Sequence, residues 1–112
     1  MSTSSEGTWE RVAFSLVVPR ENLAEYQARH ADLWPELEAA IREQGGHNYS
    51  IFAAPELDRV FGYVEIEDRA RWEAGAGSDL TDRWWRHMAD LMPTNPDFSP
   101  IGIDLVEVFH QE

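Results

Sequence analysis

An α+β fold in the order β-α-β-β-α-β, the split βαβ of ferredoxin-like domains, is predicted by three observations on this sequence. Short runs rich in β-branched and aromatic residues open, centre and close the chain. Two longer stretches with helical periodicity lie between them, and the changes of pattern fall at prolines and glycines.

Arg11–Val18 has strand composition and stops at Pro19. From Glu21 to Gln44 the apolar positions Leu23, Tyr26, Leu33, Trp34, Leu37, Ala40 and Ile41 follow a helical period. Pro35 lacks an amide donor and disfavours helix at Trp34, so a kink or restart is expected there, with Asp32 as a candidate cap for the second part. Gly45-Gly46 terminates the helix by supplying a left-handed residue. Asn48–Ala53 and Val60–Ile66 read as two strands joined through Pro55-Glu56-Leu57-Asp58. A second helical region runs from about Arg69 to Met92, interrupted near Gly75-Ala76-Gly77, with Ser78 or Asp79 capping its second half. Pro93–Pro100 is a proline-rich loop, and Gly102–His110 is a closing strand. Helices on one side of such a sheet leave its other face apolar and uncovered, which a second copy packing face to face would bury. Residues 1–10, Ser-rich at their start, form an expected disordered tail, and residues 11–112 form one domain.

The 112 residues suffice for one core but not two. With 21 acidic against 9 basic residues the formal net charge is −12, which argues against nucleic acid and anionic membranes as partners. The chain has no cysteine, so thiolate chemistry, disulfides and Cys-ligated metals are excluded, and a cytoplasmic location fits. No apolar stretch approaches the ~18 residues of a membrane span. The glycosylation pattern Asn48-Tyr49-Ser50 is discounted for a chain outside the secretory route.

Chemistry concentrates in Glu25-Tyr-Gln-Ala-Arg-His-Ala-Asp-Leu-Trp34. Steps of four residues advance about 400° around a helix, so Tyr26, His30 and Trp34 are expected to project from nearly one face. His30, whose ordinary pKa lies near neutrality, is the candidate proton carrier. Trp84-Trp85 offers a flat apolar wall on which the C–H face of a sugar stacks, although one buried and one interfacial indole would satisfy the same pair. Asn48-Tyr49, after the glycine turn, brings an amide and a phenol that bind a ligand or merely cap the turn. His47, His87 and His110 show no metal-binding spacing, and Gly75-x-Gly77 lacks the context of a phosphate loop.

Taken in order, Arg11-Val-Ala-Phe14, Glu25-Tyr-Gln-Ala-Arg-His30, Trp34-Pro-Glu-Leu37, Gly46-His-Asn-Tyr-Ser-Ile51, Phe61-Gly-Tyr-Val-Glu-Ile66, Arg83-Trp-Trp-Arg-His-Met88, Met92-Pro-Thr-Asn-Pro-Asp97 and Glu107-Val-Phe109 resemble the L-rhamnose mutarotase family over nearly the whole chain. The resemblance implies a dimeric α/β barrel and an enzyme, without cofactor or metal, that interconverts the α and β anomers of L-rhamnose. It implies His30 as the acid/base residue and Tyr26, Tyr49, Trp84 and Trp85 as sugar contacts. The pattern departs at the roughly ten residues before Arg11 and at Ala28 and Phe98, where relatives often carry polar residues. Two other classes share the element order or the sugar-binding aromatics: a cofactor-free or haem-using oxygenase of the dimeric α/β barrel type, with His30 as axial ligand, and a non-catalytic sugar-binding dimer.

Overall fold

Strict alternation of burial along one central strand sets the faces of the sheet in the computed structural model, which describes residues 9–112. Strand β1 (Glu10–Val17) pairs antiparallel with β3 (Arg59–Ile66), placing Leu16 opposite Val60, Phe14 opposite Gly62 and Val12 opposite Val64. Residues directly opposite share a face, and Val60, Gly62, Val64 and Ile66 are all buried, which marks the inner face. Strand β2 (Gly46–Ala54) flanks β3 and β4 (Gly102–Leu105) flanks β1, giving the antiparallel order β2-β3-β1-β4 expected of a split βαβ.

Four helices cover the inner face: α1 (Leu23–Ala31), α2 (Pro35–Glu43), α3 (Arg69–Ala74) and α4 (Asp79–Met88). Val18, Tyr26, Val60, Met88, Leu91 and Met92 form the central core cluster, flanked by Leu16, Leu23, Ile51 and Trp84. The expected break before Pro35 is complete. Trp34 takes φ −59° and ψ 129°, the extended state that a following proline imposes, while Pro35 opens α2 where a missing amide costs least. Asp32 does not cap α2. It closes α1, its amide donating to the Ala28 carbonyl at 3.1 Å, and the Trp34 carbonyl accepts the first amides of α2 instead. Gly45 ends α2 at φ 86° as expected. Of the two candidate caps for α4, Ser78 serves, accepting from the Thr81 amide at 3.2 Å, and Asp68 caps α3 in the same way.

Two boundaries differ from expectation. Helix α4 stops at Met88 rather than Met92, because the chain turns there to bury Leu91 and Met92 in the core before Pro93. The closing strand ends at Leu105 rather than His110; beyond it the chain departs from β1, tethered by a two-bond ion pair between Glu107 and Arg11. Residues 1–8 of the expected N-terminal tail lie outside the described residues. Of its last two, Trp9 stacks on His47 and Glu10 opens β1 opposite Ile66.

The outer face carries Ala13, Ser15, Val17, Phe61, Tyr63, Phe52, Ile103 and Leu105, and no described helix covers it. Phe52 and Ile103 are 67% and 57% exposed, and Val106, Val108 and Phe109 of the departing C-terminal segment are more exposed still. Ser15 alone on this face is sealed, beneath the Arg59 guanidinium that donates to its hydroxyl.

Candidate active site

Between the inner face and the helices lies a cavity of about 1100 Å³. Its walls include Tyr26 and His30 from α1, Tyr49 from β2, and Trp84 and Trp85 from α4, so all five residues named from the sequence meet at one place. The volume is slightly above the range usual for small-molecule sites and leaves ample room for a monosaccharide.

His30 is half-buried in the last turn of α1. Its Nδ1 lies 2.9 Å from the carbonyl oxygen of Tyr26, one helical turn back. A carbonyl only accepts, so Nδ1 carries the hydrogen and donates it, and Nε2 of the neutral ring keeps a free lone pair. Burial pulls the imidazole below its ordinary 6.5, outweighing the bond to Tyr26 that works the other way. The ring is fixed on two sides. The Tyr26 ring lies at 4.4 Å between centroids, and the Trp84 indole stands edge-on at 5.5 Å and 87°.

The two phenols differ in setting but share a state. Tyr26 is a core residue, 6% exposed, and burial raises its phenol far above the ordinary range. Tyr49 keeps 40% of its surface accessible, yet its surroundings enclose the phenol closely enough to push it up to about 12. Both hydroxyls are therefore protonated at any working pH and act as donors. Among the described residues neither hydroxyl bonds to a protein group, and the Tyr26 hydroxyl is not sealed from solvent, which leaves both free for a ligand.

Adjacent helical residues diverge by about 100°, so Trp84 and Trp85 lie on one cavity only because it wraps around that side of α4. Trp34 does not join them. The break at Pro35 ends the helical stripe after His30, and Trp34 packs edge-on against Trp84 at 5.1 Å, behind the cavity wall, with Arg83 over its ring at 5.9 Å. It therefore supports the indole that in turn holds His30.

Several cavity residues are not singled out by sequence pattern as site residues. Phe14 stands edge-on to Tyr49 at 6.3 Å, and Trp72, the one aromatic in the charged helix α3, approaches Tyr49 at 6.2 Å. Phe98 also lines the cavity, with φ 72° and the Arg86 guanidinium 4.5 Å over its ring. That lone tryptophan among charges is the only local signal that marks any of them.

A second depression of about 630 Å³ lies across α1 and α4, lined by Glu25, Arg29, Asp32, Trp34, His87 and Asp90. Its guanidinium is already engaged: Arg29 donates to Glu25, to Asp90 and to the His87 carbonyl. Among the described residues no three His, Asp or Glu side chains are grouped to hold a metal ion, and no helix is long and apolar enough to cross a membrane.

The chain matches the family model described as L-rhamnose mutarotase over residues 11–111. It is 53% identical over 100 residues to an L-rhamnose mutarotase of Opitutus terrae, covering 89% of this chain and 96% of that one. It is 46% identical over 101 residues to the L-rhamnose mutarotase of Bacillus subtilis, covering 90% and 97%. In three dimensions it resembles the crystal structure of an L-rhamnose mutarotase from Formosa agariphila, with a TM-score of 0.84 and 36% identity over 92% of this chain and 99% of that one.

Proposed function

The chain belongs to the L-rhamnose mutarotase family, and on that premise we propose that it interconverts the α and β anomers of L-rhamnose by proton transfer centred on His30. The observation that carries this mechanism is the bond from Nδ1 of His30 to the Tyr26 carbonyl, which leaves an unprotonated Nε2 in a cavity bordered by two protonated phenols and two indoles.

Mutarotation opens the pyranose ring and recloses it on the other face of C1. Nε2 takes the proton from the O1 hydroxyl as the C1–O5 bond breaks, and the resulting imidazolium returns it to O5. O1 and O5 share one carbon, so a single nitrogen reaches both in turn. Rotation about C1–C2 presents the other face of the aldehyde, and the same steps run backwards. No atom or electron is gained or lost, so the cycle needs no co-reactant. Tyr26 and Tyr49 donate to sugar oxygens, and Trp84 and Trp85 stack on the C–H face and exclude water.

The test is NMR exchange spectroscopy between the α and β anomeric protons of L-rhamnose. Wild type accelerates exchange, and His30→Ala loses roughly 10²–10⁴-fold while keeping its far-UV circular dichroism. Undiminished exchange by a folded His30→Ala protein would reject the assignment. Binding of rhamnose without any acceleration by wild type would support a sugar-binding dimer instead.

The proposal extends to a homodimer formed through the outer sheet face, supported by the exposed Phe52, Ile103 and Leu105 and by the apolar C-terminal segment beside them. A cytoplasmic location is part of the same reading, supported by the cysteine-free composition.

A further inference from the structure

Strand β2 breaks its own alternation immediately before Tyr49. His47 lies opposite Glu65 and Ser50 opposite Tyr63, so two residues, Asn48 and Tyr49, face the single residue Val64. This is a β-bulge. In an unbroken strand Gly46 and Tyr49, three apart, would point to opposite faces of the sheet. Here both belong inside. A Cβ on Gly46 would lie 2.6 Å from the Trp72 ring, and Tyr49 borders the cavity.

Asn48 absorbs the extra residue at φ 54°, in the left-handed region that asparagine tolerates better than other residues with a side chain. Its side chain is anchored on the outer face. Nδ2 donates to Oε1 of Glu65 at 3.0 Å, and the Tyr63 hydroxyl donates to Oε2 of the same carboxylate at 2.8 Å. The Ser50 hydroxyl donates to the Asn48 carbonyl at 3.3 Å from the other side of the bulge.

We propose that Asn48 is a positioning residue: its left-handed backbone, locked to Glu65, makes the bulge that turns the Tyr49 phenol into the sugar cavity. The inference rests on Tyr49 being a sugar contact. The Asn48 amide and the Tyr63 hydroxyl also hold the Glu65 carboxylate below the usual range, as a clamp that works on the ionised form must.

Two readouts test it. The first is a double-mutant cycle on rhamnose anomer exchange. Asn48→Val, which disfavours the left-handed state and loses the bond to Glu65, lowers kcat/KM roughly five- to tenfold, and Asn48→Gly, which loses that bond but adopts the state freely, lowers it less, by roughly two- to threefold. In a Tyr49→Phe background Asn48→Val has little further effect, because the group it positions is gone. A loss of equal size in that background overturns the proposal, whether it arises from folding or from association. The second readout is independent of activity: titration of 13C-labelled tyrosine by NMR. Tyr49 titrates near 12 in wild type and moves towards the ordinary 10.0 in Asn48→Val. Glu65→Ala, which leaves β2 untouched, moves it in the same direction and replaces Asn48→Val if that variant does not fold. A Tyr49 titration unchanged in these variants overturns the proposal. If wild type fails to exchange rhamnose anomers, the proposed function falls, and the titration still decides the bulge.

Discussion

At His30 opposing effects meet. The last turn of α1 favours a cation through the helix dipole and the Tyr26 carbonyl, whereas burial against Tyr26 and Trp84 disfavours it, and burial wins. In the proposed mechanism the neutral ring is the base, so kcat/KM for rhamnose should be flat through neutral pH and fall on acidification with a midpoint below 6.5. Stability moves in the same direction. The folded-state pKa lies below the unfolded value, so between the two the unfolded chain binds more protons. This contribution is therefore fully present above about 6.5 and is lost as pH falls through the folded pKa. A pH–rate profile paired with thermal melts of wild type and His30→Gln measures both, and an activity midpoint at or above 6.5 would contradict the burial argument. The residue types needed for this chemistry are legible in the sequence, because a helical period relates Tyr26 to His30. The tautomer is not, since it depends on which atom the ring meets.

Between strands, the register of β1 against β3 shapes the cavity. Gly62 sits opposite Phe14, and a Cβ there would fall 2.1 Å from the tip of the Phe14 ring. That ring is also a cavity wall and the edge-on neighbour of Tyr49. Gly62→Ala should therefore force Phe14 aside, raising KM for rhamnose severalfold and destabilising the fold by about 1–3 kcal/mol, measured by anomer-exchange kinetics and urea unfolding. Unchanged KM would mean that the Phe14 ring has room to move away from the sugar. Proline and glycine made the element boundaries readable, because Pro35 and Gly45 constrain the backbone whatever surrounds them. Where termination depends on a partner, the sequence misleads. Val106, Val108 and Phe109 have strand composition, but a strand needs a neighbour, and β1 and this segment diverge after Leu105.

On the scale of the whole molecule, one side of the sheet is covered by helices, and among the described residues the other is not. If the outer face joins two copies, Ile103→Glu should convert a dimer to a monomer in light scattering at micromolar concentration, and a wild-type monomer at the same concentration would refute the homodimer. By itself the sequence determined the order of elements, the breaks at Pro35 and near Gly75, the acidic and cysteine-free character, and the set of residues able to carry protons or stack on a sugar. Only the tertiary structure decided that Tyr49 and the indoles of α4 line one cavity with His30, that Trp34 is excluded from it, and that a bulge at Asn48 brings Tyr49 inward. The reason is physical. Periodicity reports which side of an element is apolar, whereas which sides meet is settled by strand order, register and packing between residues distant in the chain.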